Sequence, residues 1–503
     1  MDGPANRVRM ALAFGAAAVA LVTAAGCGGV SQPVEPAGGT AVVGTAVRLL
    51  FAGDVMLGRG VADLDAATVF TDVRFEVASA DLSVANLESP LTNRPHDPGS
   101  GPNALEATPF SARLLAAAGF DAVGVANNHA GDAGPATVGD TVDALAAAGL
   151  EAIGAGTSVD EAYEPRSVEI GGVRVALLAF DATGAGPRVG AGAPGVAWWD
   201  EARAREAVGH ARAIADVVAV GIHGGTEYVP GTDPYLMRLA QQLAGWGADV
   251  VWGTGPHVVQ PVHMVDPDGD GRATVVTTSL GNLIFDQHLP GTRRGAVLEV
   301  LAGSDGIRAW RAGSTDHEDG PVRFAGWETP PGDAVLLAGG WWALTGPADP
   351  VVAADPGPLA GFAGDVVDAT LGDADEDGEP DLVVAFRRPY SPTGVNALLP
   401  RETLVDARGR TAHLGLYRPD DLRPRWVAGT LVRPVSAVAA CDGMLALAYS
   451  KLDDPTVVST GAWRWGGFGF LTLPDLPGTG SPACADVDGD GRLDPLVLER
   501  SSR

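Results

Sequence analysis

From residue 47 to about residue 327, short apolar runs alternate with alanine-rich runs of helical period, and beyond that point the helical period stops. The apolar runs at 47–52, 82–85, 122–126, 173–180, 217–222 and 250–252 have the length and the valine, leucine and isoleucine content of buried strands. The runs at 111–118, 136–148, 200–215 and 234–246 place their apolar residues on one helical face. Strands and helices in alternation need a largely parallel or mixed sheet covered by helices, so the expected fold over 47–327 is an α/β layered sandwich with helices around β-sheets. After it comes a region rich in Gly, Pro, Val and Trp, expected to be all-β.

In open α/β sheets, ligands collect beyond the carboxyl ends of the strands. Here those ends carry Asp54 in GDVML, Glu88 in NLESPLT, Asn128 and His129 in ANNHA, His223 in GIHGG and His257 in GTGPHVVQP. Carboxylate, amide and imidazole together suit Mn, Fe or Zn. Each residue alone also has a structural reading. Asp54 caps a turn, Asn128 fills a left-handed turn position, Glu88 is a solvated strand-end acid, and His223 and His257 are satisfied core or loop histidines. Recurrence at successive strand ends is the argument for one composite metal site or its remnant.

The motifs GDVMLGR, NLESPLT, ANNHAGDAG, IHGGTEYVP, GADVVWGTGPHVVQPV and SLGNLIFD, in this order, resemble the CapA family, associated with poly-γ-glutamate capsule synthesis. The resemblance covers 47–327 and implies a metallophosphoesterase-like fold with metals at the strand ends. It implies Asp54, Glu88, Asn128, His223 and His257 as metal ligands and His129 as the acid or transition-state residue, with Asn128 and Glu88 beside it in the catalytic set. The sequence departs from the phosphoesterase pattern at Met56, where a histidine is usual, and from the CapA pattern at Gly224 and Gly255, where Trp and a second histidine are frequent. Glu227 and Tyr228 stand next to the His223 motif. Arg293 and Arg294 follow Asp286 and either meet an anionic substrate or form a surface salt bridge.

Region 328–503 contains two acidic loops, one with Asp373, Asp375, Asp377 and Asp381, the other with Asp486, Asp488, Asp490 and Asp494. Each has acids at positions 1, 3, 5 and 9 with Gly at 6, the alternation of oxygen ligands that Ca2+ takes. A degenerate copy keeps only Asp442 and Gly443. The loops resemble those of FG-GAP and related VCBS-like repeats, which implies a domain of β-propeller-like repeats with Ca2+. The alternative is a pair of solvated hairpin turns. A similar run beginning at Asp266 lacks the ninth acid and reads as a plain hairpin.

Arg7 and Arg9 precede an apolar run over 10–25, shorter than a spanning helix and followed by small residues and Cys27. Residues 1–27 therefore read as a lipoprotein signal peptide with Cys27 lipidated, or as a simple cleaved signal, and 28–46 as a flexible tether. The expectation is an exported, cell-surface protein, lipid-anchored to the outer face of the cytoplasmic membrane. Cys441 and Cys484 are left either as a disulfide or as buried thiols.

A net charge of −28 makes nucleic acid an unsuitable partner. Lysine occurs once, at Lys451, which removes phosphate-loop, kinase and Schiff-base chemistry from the N-terminal half. Two functions remain in competition: a metal-dependent hydrolase or transferase acting on an anionic envelope polymer with the capsule machinery as partner, and a non-catalytic polymer-binding or assembly lipoprotein with a degenerate metal site. A calcium-stabilised adhesion module is a third.

Overall fold

The computed structural model describes residues 46–499 apart from 96–103, 191, 268, 270, 319, 338–339, 347–358, 360–361, 391–400, 402–403, 429, 455, 468 and 477. The leader, Cys27, residues 28–45 of the tether and two acids of the 266–272 run lie outside the described residues.

Two sheets lie face to face. In the first, Val47–Val55 pairs in parallel with Leu82–Leu87, then come Ala122–Gly124 and Glu151–Ile153, while its other flank takes the antiparallel Arg294–Gly303 and the short Asn282–Ile284. The second sheet runs Val262–Val265, Thr274–Thr277, Val250–Thr254, Val217–His223, Val173–Asp181, Arg166–Ile170. Phe51 of the first stacks on Trp252 of the second with ring centroids 5.0 Å apart, and both are buried. Gly221 makes room for that indole, since a Cβ there would sit 2.6 Å from the Trp252 ring.

Helices cover both outer faces, giving four layers. Pro234–Gly245 begins where the Asp233 carboxylate accepts from the N–H groups of Tyr235 and Leu236, with Pro at the first turn. It buries Leu236, Leu239, Ala240, Leu243 and Ala244, one helical stripe, against the second sheet. Glu201–Ile214 starts the same way, from Asp200 accepting the Arg203 N–H. The expected helices all form, each end within one residue of the sequence reading.

The end of the helical pattern near residue 327 is not a break in the sheet. Gly306–Asp316 pairs with Arg294–Gly303 on one side, and on the other Ala309 and Trp310 pair with Leu344 and Ala343. At this seam Arg311, 1% exposed, bonds the fully buried Glu299, which also holds Arg48. The Arg311 guanidinium lies 3.6 Å from the Trp327 ring centroid and 4.4 Å from that of Trp342.

The described residues beyond 327 are all-β and form three antiparallel arrays of four strands. One is composite, joining Gly340–Leu344 and Ala334–Leu337 to Asp494–Leu498 and Ser481–Ala485 at the far end of the chain. The others are Asp365–Gly372 to Pro424–Val427 and Val435–Cys441 to Phe470–Thr472. The two acidic loops and the Asp442-Gly443 turn occupy the same place in the three arrays, between a first strand and its hairpin partner. A disulfide joins Cys441 to Cys484 and ties the third array to the composite one.

Candidate metal centre

Strand register brings the site together. In the first sheet Asp54 lies opposite Asn86 on one side and Asn282 on the other. In the second, His223 lies opposite Asp181 and Thr254. Both rows sit at the carboxyl ends of their parallel strands, so the two sheets deliver their polar ends to one place.

Asp54 is fully buried; Asn86 Nδ2 donates to its Oδ1 at 2.8 Å and the Gly255 N–H to its Oδ2 at 3.0 Å. His257 Nδ1 lies 3.3 Å from Asp54 Oδ2 and 2.9 Å from Asn282 Oδ1. His223 places Nε2 2.8 Å from Asn128 Oδ1, while its Nδ1 lies 3.0 Å from Thr254 Oγ1 and 3.2 Å from Asn86 Nδ2.

Glu88, just past Leu82–Leu87, is anchored by its N–H donating to Val55 O at 2.9 Å. Its carboxyl group is fully buried and neither oxygen has a hydrogen-bond partner. Around Oε1 stand His223 Nε2 at 3.7 Å and the Nε2 atoms of His257 and His129, both at 3.8 Å. A buried carboxylate left without a partner is costly, by several kcal/mol. Three imidazole nitrogens beyond hydrogen-bond reach of it leave space for a cation instead. One ligand atom each from Asp54, Glu88 and His257 lie within 4.8 Å of one another, a spacing that bonds of roughly 2.0–2.2 Å to one ion span.

The electrostatics agree. Burial and the neighbouring Asp54 push the Glu88 carboxyl well above its ordinary range. Burial opposes a charged His257, yet Glu88, Asp54 and Asn282 outweigh it and hold its pKa at about 10. Both shifts express one fact: two carboxylates in a dry site draw positive charge to themselves. His223, where burial dominates, falls to about 4 and is neutral, the form in which imidazole binds a metal.

His129 stands at the rim, its side chain 22% exposed, with Nδ1 2.8 Å from Asp132 Oδ2. Asp132 also accepts from the Leu105 N–H at 2.8 Å, which fixes the carboxylate that orients the ring.

The departures from the phosphoesterase and CapA patterns have local causes. The Met56 thioether turns back to accept the Gly58 N–H at 3.1 Å. Gly255 has φ +103° and a Cβ there would lie 2.7 Å from Gly224 O, so no side chain fits, and its N–H serves Asp54 instead. Asp54, Glu88 and His257 converge as a group that could hold a divalent ion, with His223 and Asn128 bonded to each other beside it.

Other residues stand as follows. Asp286 is paired by Arg59, with Nε 3.0 Å from Oδ2. Arg293 makes no carboxylate ion pair among the described residues and meets His288 Nδ1 at 3.3 Å. In each acidic loop positions 1, 3 and 9 converge, Asp373, Asp375 and Asp381 or Asp486, Asp488 and Asp494, whereas position 5 does not join them. The Arg425 guanidinium fills the first loop, bonding Asp381 at 2.8 Å, Asp377 at 2.6 Å and Asp375 at 3.2 Å. In the second loop Arg308 lies near enough to Asp488 to favour its charged form, and burial with the adjacent acids lifts Asp494 to about 7.

Sequence reasoning missed Asn86, Asn127, Asp132, Asp181, Thr254 and Asn282. Asp132 had a readable signal in the His-x-x-Asp spacing after His129, and Asn86, Asn127, Thr254 and Asn282 lie within the motifs already singled out, whereas Asp181 had none. Asn127 joins the site through Nδ2 donating to Leu87 O at 2.8 Å.

The family model for bacterial capsule synthesis protein PGA_cap matches residues 48–287. PGA biosynthesis protein CapA of Bacillus subtilis (strain 168) is 30% identical over 280 residues, covering 54% of this chain and 72% of that protein. Capsule biosynthesis protein CapA of Bacillus anthracis is 29% identical over 265 residues, 50% of this chain and 63% of that one. Among solved structures, a hypothetical protein from Thermus thermophilus aligns with TM-score 0.34 at 19% identity, over 56% of this chain and 97% of that chain. A 5'-nucleotidase precursor from the same organism aligns with TM-score 0.35 at 16% identity, over 54% of each chain.

Proposed function

The chain belongs to the PGA_cap family of bacterial capsule synthesis proteins, the CapA family, and from that premise we propose that it is a metal-dependent hydrolase or transferase of capsule or envelope polymer synthesis. The observation that carries this reading is the buried, unpartnered Glu88 carboxyl ringed by three imidazoles and Asp54. Asp54, Glu88 and His257 would hold a divalent ion, Mn, Fe or Zn by donor type. When bound, such an ion polarises a phosphoryl or acyl oxygen and acidifies water.

The remaining work falls to the chain's own groups. Asp132 holds the Nδ1 proton of His129, leaving Nε2 facing the cluster as the atom that takes or gives a proton. The partly exposed ring exchanges that proton with solvent. Asn86 and the Gly255 N–H fix the Asp54 carboxylate, and Asn282 fixes His257, so the donors keep their places through a reaction.

The wider assignment is of an exported protein, lipid-anchored through Cys27 on the outer face of the cytoplasmic membrane. Its C-terminal arrays would form propeller-like FG-GAP repeats, and its second acidic loop would take Ca2+. Among the described residues no helix is long and apolar enough to cross a membrane.

The test is turnover of bis-p-nitrophenyl phosphate and of γ-glutamyl peptides by metal-loaded full chain, beside His129→Ala. Activity lost in the variant at unchanged metal content supports the reading. No turnover by metal-loaded wild type of either substrate favours the second reading, a polymer-binding assembly protein with a reduced site. That reading is favoured by one observation, the steric exclusion of any side chain at position 255.

A further inference from the structure

Five described non-glycine residues have left-handed backbone, and two of them, Tyr228 at φ +64° and His257 at +60°, meet at the metal centre. Such φ values are disfavoured for bulky side chains and persist where surrounding structure enforces them, commonly at functional sites. For His257 the reason is evident, since it is one of the three converging donors.

Tyr228 needs another explanation. Its N–H donates to Pro256 O at 2.9 Å, which ties the two left-handed segments together. Its ring stacks on the His257 imidazole, centroids 5.9 Å apart and planes 28° apart, and Phe285 meets the same imidazole edge-on at 5.1 Å. Yet the residue is 38% exposed, and its neighbour Val229 is 47% exposed. An exposed aromatic ring on disfavoured backbone is poor packing, so burial is not what holds it there. Among the described residues the phenol oxygen lies 3.4 Å from Gln287 Nε2, which donates to it, and its O–H meets the neighbouring Glu227 carboxylate, an acceptor that an incoming oxyanion would replace. Beside it the centre presents Asp54 and Glu88, both acids and both acceptors when ionised. An anionic group arriving at the ion therefore finds few donors on this side.

We propose that Tyr228 is a substrate-binding residue of this centre, its ring held over His257 by a left-handed backbone so that its phenol donates a hydrogen bond to an oxyanion brought to the metal. The ligand class is an oxyanion, phosphoryl or carboxyl, and the inference rests on the metal-centre reading above.

The test uses the full chain, first measured for Mn2+ uptake and then titrated with inorganic phosphate by calorimetry. Tyr228→Phe should keep Mn2+ uptake and melting temperature but bind phosphate about tenfold more weakly or worse, as loss of a hydrogen bond to a charged group implies. Tyr228→Gly removes both ring and strain and should lose at least as much phosphate affinity without melting lower. Phosphate affinity unchanged in Tyr228→Phe, a lower melting temperature for Tyr228→Gly, or no phosphate binding by Mn2+-loaded wild type overturns the inference alone. No Mn2+ uptake by wild type sinks the metal-centre reading and this inference with it.

Discussion

Glu88→Gln separates the cost of the centre from its use. The substitution keeps the shape of a side chain whose carboxyl is fully buried and makes no hydrogen bond, and removes its charge. In the metal-free chain the raised Glu88 pKa means that its favourable contribution is complete below the ordinary carboxyl pKa and is lost as pH rises through the folded value. Glutamine does not titrate, so the variant should match wild type near pH 4 and become the more stable of the two as pH rises. A protonated His257 nearby returns part of the penalty, which places the gain at the low end of buried-charge values, about 1–3 kcal/mol near pH 8. Excess Mn2+ should reverse the order. Wild type gains about 2.7 kcal/mol at a hundredfold excess over Kd, and the variant gains less because one anionic ligand is gone. Urea unfolding at pH 4, 6 and 8, with chelator and with Mn2+, reads the crossing directly. A variant less stable than wild type in chelator at pH 8, or equal stabilisation of both by Mn2+, would refute the reasoning.

Three further outcomes are expected. Glu299→Gln, which leaves Arg311 and Arg48 without their buried counter-charge, should cost about 3–5 kcal/mol in urea unfolding, while Glu299→Met with Arg311→Met should recover most of it. Ca2+ should raise the melting temperature through the second acidic loop and lose that effect in Asp494→Asn; without Ca2+, stability from Asp494 is complete below pH 3.8 and falls as pH rises through about 7. Asp132→Asn should lower kcat about tenfold to a hundredfold with metal content unchanged, since it disturbs the proton held at His129 Nδ1 and touches none of the three converging donors; an unchanged kcat removes Asp132 from the mechanism.

What the sequence made legible was local. The helical period placed four helices, and the apolar runs placed the strands whose ends carry Asp54, Glu88, His129, His223 and His257. What it hid depends on pairing between distant segments. Asn86 and Asn282 lie inside the NLESPLT and SLGNLIFD motifs, but they reach Asp54 only because register sets them opposite it, which the motifs alone do not tell. The composite array joins strands near 334–344 to strands near 481–498, so the end of helical period at 327 gave no sign that the first sheet runs on. The first acidic loop shows the same limit: its spacing suits Ca2+, but Arg425, 44 residues beyond Asp381, already supplies the positive charge. Steric exclusion at Gly255 was likewise out of reach, because the obstructing carbonyl belongs to Gly224 in another strand-end loop.

The most direct measurement is the metal content of the purified full chain after exposure to Mn2+ or Zn2+ and exhaustive dialysis, beside the triple variant Asp54→Asn, Glu88→Gln, His257→Ala. About one equivalent retained by wild type and none by the folded variant is the predicted result, as a single site with three protein ligands implies. Wild type that retains none, or a variant that retains as much as wild type, would contradict the claim that these two sheet ends meet around a cation.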